Sequence, residues 1–253
     1  MLRRIGTAVV AGALLLSFLY WAGKVGLLIA WLLIGLLLLD EWMRGEHLSL
    51  PQRIFLSIPI LALWGSPFLP ELVKGTVLSF VLLALWGLRQ REPQTVHRWF
   101  QQSLYGLVGM GVGWGSVGWL LYEPYSFGRT LAFLSLVWMA DTAAYFGGRW
   151  MGRRRILPQI SPNKTVEGLG ISVIASAIWG HFAVPWVGGL EEVPPFLVGG
   201  GVSLLAFIGD AYQSVWKRVH QLKDSGRLLP GHGGIWDRVD SLIWVAPAWY
   251  FLS

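Results

Sequence analysis

Cysteine is absent from the 253-residue chain, which excludes a disulfide framework, a thiolate nucleophile and any zinc site built on cysteine. Charge is scarce too: Asp, Glu, Lys and Arg make up 13% of the residues, where a water-soluble domain carries about 25%. With 54% of the residues hydrophobic, the deficit points to a surface that faces lipid. Histidine is limited to five. His47, His97, His181 and His220 show no ligand spacing and His232 stands alone in a loop, so no zinc site is expected. Long linkers, low-complexity tracts and internal repeats are also missing, and one continuous membrane domain is the economical reading.

Apolar runs of the length a bilayer demands recur near residues 5–22, 25–39, 54–69, 73–88, 103–121, 130–148, 168–187, 196–215 and 235–252. The expectation is an all-α, polytopic integral membrane protein of about nine transmembrane helices. Residues 1–130 would hold the N-terminal helices, and 131–253 the C-terminal catalytic helices with their cytoplasmic loops. "MLRR" gives the first run a basic start, yet no small-x-small cleavage site precedes the next apolar run, so a retained span is expected. Sixteen Trp suit a lipid-embedded chain, since indoles favour the headgroup zone. Lys and Arg accumulate in cytoplasmic loops. With the N-terminus inside, seventeen of the twenty fall in inner segments, leaving Lys24, Lys74 and Arg129 outside. The two long polar segments, after the sixth and eighth runs, then face the cytoplasm, where nucleotides are found. The expected location is the plasma (inner) membrane, with the active site at its cytoplasmic face.

Those segments hold most of the chemistry. In "ADTAAYFGGRWMGRRRILPQISPNKTVEG", Asp141, Tyr145 and Arg149 are spaced i, i+4, i+8 and share one helix face. An ionisable residue within a span is a functional candidate, although an ion pair with a neighbouring helix is the plainer reading of Asp141. Topogenic or anionic-lipid contact explains Arg153 to Arg155 without catalysis. In "SPNKTVEG", Ser161 and Thr165 are candidate helix caps, and Lys164 beside free backbone amides makes a phosphate site. The glycine pattern of a P-loop is missing.

The later segment opens inside the eighth run with "GDAYQSVWKR", where Asp210, Ser214, Lys217 and Arg218 form one polar stripe. "KDSGRLLPGHGGIWDRVD" follows. Its glycines permit tight turns and close approach, and Asp237 and Asp240 share the opening turn of the ninth run. Asp210, Asp224, Asp237 and Asp240 supply only oxygen ligands, which suits Mg²⁺ completed by substrate phosphates.

The run "SVWKRVHQLKDSGRLLPGHGGIWDRVD", Ser214 to Asp240, closely resembles the signature of the phosphatidate cytidylyltransferases, and "SPNKTVEG" and "DTAAYFGG" resemble upstream segments of that family. The resemblance covers roughly residues 138–252; the first 130 match only as hydrophobic spans. Gln213 and Ala211 depart from the "GDLxES" common in relatives, and Trp216 stands where an aliphatic residue or Phe is usual. The resemblance implies transfer of CMP from CTP to phosphatidic acid, giving CDP-diacylglycerol and pyrophosphate. On that expectation Asp210, Asp237 and Asp240 hold Mg²⁺, joined by a second cation such as K⁺. Lys217, Arg218, Lys223 and Arg238 neutralise phosphates, Ser214 and Lys164 orient a substrate, and Asp141 and His232 contribute to substrate binding. Membrane lipids are partners, nucleic acid is not, and a homodimer is implied. Cytidylyl transfer or CTP-dependent phosphorylation on an isoprenoid lipid is the nearest alternative. A cation- or proton-coupled transporter using Asp141 and Asp210 is a more distant one.

Overall fold

The computed structural model of the chain describes residues 17–18, 20–65, 93–122, 126–228 and 233–252. Most of the expected first span, all of the fourth, and His232 lie outside the described residues. The rest is mainly helical. α1 (Gly23–Gly45) and α2 (Leu50–Gly65) precede α3 (Pro93–Tyr105), a π-helical stretch (Gly106–Gly113) and α4 (Trp114–Tyr122). α5 (Phe127–Met151), a two-stranded ribbon of β1 (Arg155–Leu157) and β2 (Ser161–Thr165), α6 (Val166–Val187), α7 (Pro195–Val219) and α8 (Trp236–Leu252) complete the order.

Five stretches among the described residues are long and apolar enough to cross a membrane: Gly23–Gly45, His97–Leu121, Phe127–Met151, Val166–Val187 and Pro195–Val219. α2 is apolar but shorter, at 16 residues, and α8 has 17. Local chemistry fixes several ends. Ser126 accepts the Arg129 amide at the start of α5, and Thr165 accepts the Gly168 amide at the start of α6, each satisfying a donor that the first helical turn leaves unpaired. Pro195 sits at the start of α7, where a missing N–H costs nothing, and Lys217 and Arg218 lie in its last turn, favourable to the helix dipole.

The ribbon amends the all-α expectation. Arg155 pairs with Thr165 and Leu157 with Ser161 in antiparallel register. Ser161 therefore begins a strand and caps no helix; only Thr165 does. Pro162, which lacks an amide to donate, is tolerated because a two-stranded ribbon has only edges. Glu167 fastens the ribbon to α6 by accepting the amides of Arg153 (3.0 Å) and Arg154 (3.1 Å).

The tryptophans divide. Trp21, Trp150 and Trp186 are exposed, as headgroup anchors would be, but Trp31, Trp42, Trp64, Trp99, Trp114, Trp216, Trp236 and Trp249 are buried in the core. Their N–H groups need internal acceptors. Trp31 donates to the Trp114 carbonyl (2.9 Å) and Trp114 to the Trp31 carbonyl (3.1 Å). Trp64 donates to the Met110 carbonyl, inside the π-helical stretch, at 2.8 Å.

α5, α6 and α7 pack in sequence, and α8 packs on α7. Small residues set the spacing, as is usual between membrane helices. A Cβ at Gly199 of α7 would overlap the Ser176 carbonyl oxygen of α6, and one at Gly180 would lie 2.5 Å from the Pro195 carbonyl oxygen. Gly199→Val should therefore push α6 and α7 apart, costing about 1–3 kcal/mol or more. A thermal melt in detergent should fall by several degrees, and an unchanged melt would show that the two backbones are not held this closely.

Candidate active site

A cavity of about 440 Å³ lies where the polar ends of α5, α7 and α8 meet β2. α5 contributes Asp141 and Tyr145, β2 contributes Asn163 and Lys164, and α7 contributes Asp210, Gln213 and Lys217. Asp237, Arg238, Asp240 and Ser241 enter from the first turns of α8, and Asp224 from the loop before it. Eight of the charged residues singled out in the sequence thus line one space, Asp141, Lys164, Asp210, Lys217, Asp224, Asp237, Arg238 and Asp240, together with Tyr145, Ser161 and Thr165. They lie up to 99 positions apart, and the helix packing described above brings them together.

Charges are paired across elements. Lys164 of β2 forms an ion pair with Asp210 of α7. Lys217 of α7 meets Asp237 Oδ1 of α8 at 2.7 Å, with side chains only 14% and 9% exposed. Asp237 Oδ2 accepts three further bonds, from the Ser225 amide (2.8 Å), the Ser225 hydroxyl (2.9 Å) and the Gly234 amide (3.0 Å). Asp141 accepts the Ser241 hydroxyl at 3.1 Å, and Asp240 accepts the Ser241 amide at 2.8 Å. Asp237 is consequently the anchor of the glycine loop, whereas Asp141, Asp210 and Asp240 face one another across the cavity.

Ser214, Arg218, Lys223 and Arg149 stand outside the cavity wall, and His232 lies beyond the described residues. Ser214 is buried beneath the wall and approaches Asp210 Oδ1 at 3.5 Å. Arg218 is exposed and clasps two carbonyls, Ile160 in the ribbon turn and Leu222 after α7, each at 3.2 Å. Lys223 is exposed on the loop and does not line the cavity. The Tyr145 and Arg149 stripe forms as the spacing predicts, with Arg149 donating to the Tyr145 hydroxyl at 3.0 Å.

The sequence reading missed two acidic residues, Glu41 in α1 and Glu46 just past its C-terminal end. Glu41 accepts the amides of Ile235 (2.9 Å) and Trp236 (3.2 Å) and the Ser225 hydroxyl. It thereby caps α8 from a helix almost 200 residues earlier. Glycine is required beside it: a Cβ on Gly234 would overlap the Glu41 carboxylate, and one on Gly226 would lie 2.6 Å from Oε2. Glu46 accepts the Trp216 indole at 2.5 Å and the Gln102 amide at 2.9 Å, and lies 3.3 Å from His220. Trp216, the departure noted in the sequence, is packed: it lies over Gly45 and against Trp236, with ring centroids 4.4 Å apart. The one available signal was "DEWMRGEH", a cluster of charges at the end of an apolar run.

The donor set fits a hard divalent cation. Among the described residues no three His, Cys, Asp or Glu side chains gather into a preformed cage. A Mg²⁺ site finished by substrate needs only one or two carboxylates. Gln213 is 1% exposed, lines the cavity, and has neither of its side-chain polar atoms hydrogen-bonded. Such atoms are costly to bury unless something occupies them.

A sequence model of the cytidylyltransferase family matches residues 2–253. The phosphatidate cytidylyltransferase of Brucella melitensis biotype 1 is 34% identical over 262 residues, covering 99% of this chain and 92% of the relative. That of Bacillus subtilis (strain 168) is 41% identical over 129 residues, 50% of this chain and 48% of the relative. An uncharacterized protein, YnbB, of Escherichia coli (strain K12) is 31% identical over 226 residues, 87% and 76% of the two chains. The match extends into the N-terminal segment that carries Glu41 and Glu46, so that Glu41 and the glycine loop it touches fall within one family pattern: this chain belongs to the cytidylyltransferase family.

Proposed function

We propose that the protein transfers CMP from CTP to phosphatidic acid, forming CDP-diacylglycerol and releasing pyrophosphate. The observation that carries this reading is the cavity in which Lys164, Lys217 and Arg238 alternate with Asp141, Asp210 and Asp240, within a chain that aligns over 99% of its length with a phosphatidate cytidylyltransferase. A phosphomonoester has a second pKa of about 6, so the lipid phosphate is largely ionised at neutral pH and needs no histidine base. Its oxygen attacks the α-phosphorus of CTP. A new P–O bond forms, the bond between the α-phosphorus and the bridging oxygen breaks, and the electron pair leaves with pyrophosphate.

The protein's task is to hold two anions together. Lys164, Lys217 and Arg238 reduce their repulsion, and Asp237 keeps Lys217 and the glycine loop in place. Asp210 and Asp240, with Asp237 beside them, would hold Mg²⁺, which supplies charge neutralisation on the leaving phosphates. A second cation such as K⁺ and a homodimer belong to the same proposal. So does the topology: about nine spans, a cytoplasmic N-terminus, and the cavity at the inner face of the plasma membrane. The concentration of Lys and Arg near the cavity end of the helices supports that orientation. At that depth the lipid phosphate reaches the site while its acyl chains stay in the bilayer.

Detergent-purified protein should release pyrophosphate only when CTP, Mg²⁺ and phosphatidic acid are all present, with CDP-diacylglycerol as the lipid product. Omission of any one should return the rate to background. Release with an isoprenoid phosphate and none with phosphatidic acid would move the assignment to the other lipid.

A further inference from the structure

We infer that Gln213 is a ligand-binding residue of the cavity, its side-chain oxygen a neutral partner for the divalent cation and its N–H groups donors to the cation's phosphate. The inference rests on the cytidylyltransferase reading and adds to it a neutral residue to which that reading gives no role. Gln213 is 1% exposed and lines the cavity, and both polar atoms are unbonded. An interior normally pairs such groups. A glutamine kept for packing alone would gain from being replaced by an apolar side chain of the same length.

Its place on α7 specifies the ligand chemistry. Asp210 lies three residues before it and Lys217 four after, spacings that put all three on one helix face, and all three line the cavity. Asp210 favours a cation on one side, and Lys217 favours a phosphate oxygen on the other. An amide can serve both at once, because it carries an acceptor and two donors. A hydrocarbon would bond neither. The oxygen of Gln213 also supplies what the carboxylates lack, since no three acidic or imidazole side chains converge among the described residues.

The test uses full-length detergent-purified protein with Mn²⁺ as a spectroscopic stand-in for Mg²⁺. Bound metal is read from the loss of the free-ion electron paramagnetic resonance signal, with and without CTP, alongside thermal melts of the ligand-free protein. Gln213→Met should melt a few degrees higher, having lost two unpaired buried atoms, and should bind Mn²⁺ in the presence of CTP at least about tenfold more weakly. Gln213→Glu should bind Mn²⁺ alone more tightly than the wild type. Metal affinities within twofold of each other in all three proteins would overturn the inference, as would a lower melt of Gln213→Met with unchanged affinity. Wild-type protein that melts cooperatively but binds no Mn²⁺–CTP would overturn the nucleotide reading and this inference together. Normal Mn²⁺–CTP binding by both wild type and Gln213→Met would overturn the inference alone.

Discussion

Asp237→Asn is expected to lower turnover about a hundred- to a thousandfold, the cost of losing one preorganised electrostatic group from an active site, while the protein stays folded in detergent. One oxygen of Asp237 holds Lys217 and the other gathers three donors from Ser225 and Gly234. Asparagine has one acceptor in place of two. If its oxygen faces the three donors, its NH₂ meets the Lys217 ammonium; if the side chain is reversed, the loop donors lose their acceptor. Either way the buried cation loses its counter-charge, a change that costs about 3–5 kcal/mol for a buried pair. The measurement is CDP-diacylglycerol formation by variant and wild type at matched folded concentration. Activity within threefold of wild type would remove Asp237 from the site. Lys217→Met should lose a similar factor, and the double variant little more than either single one, because the two side chains act as a unit.

Glu41→Ala is expected to lower turnover about a hundredfold from outside the motif region altogether. Three donors, the amides of Ile235 and Trp236 and the Ser225 hydroxyl, lose their acceptor. Each orphaned buried group costs about 1–3 kcal/mol, so the melt should fall as well. A positioning role separates from a general loss of fold in two ways. The KM for CTP should stay within about threefold while kcat falls, and Glu41→Gln, which keeps one acceptor oxygen, should lie between alanine and wild type in both activity and melting. Equal losses in kcat and in the fraction folded would reduce Glu41 to a stability element.

The C-terminal half was largely legible in the sequence. The runs expected at 130–148, 168–187 and 196–215 appear as Phe127–Met151, Val166–Val187 and Pro195–Val219. Hydropathy falls short at the ends because helices continue past the apolar window, as α5 does from Arg149 to Met151. The site was legible for a related reason: a carboxylate in an apolar helix is expensive, so Asp141 and Asp210 stood out against their neighbours. The same contrast hid Glu41 and Glu46. They sit in a charged helix end that looks solvated, and their partners lie far along the chain, where no local pattern reveals them. The ribbon escaped notice because "SPNKT" has neither apolar alternation nor β-branched enrichment; its pairing comes from Glu167 and from the span of α5 and α6. Tryptophan count alone could not distinguish membrane anchors from core residues, since both uses need one polar edge and a large apolar body. Gln213 stands out in the sequence only as a departure from a motif, and its lack of a partner is a property of the folded cavity.

The bond from Glu41 to Ile235 spans 194 positions, which sets an order of events in biosynthesis. At about 5–20 residues per second, Glu41 leaves the ribosome roughly 10–40 s before the amides it will accept. Throughout that interval its carboxylate has no partner in α8 and depends on water for its hydrogen bonds. The candidate active-site cavity therefore cannot close while the chain is growing helix by helix. It closes in one late event, when the start of α8 docks on α1, and a nascent chain stalled before residue 235 should carry a full set of inserted upstream helices with no competent site.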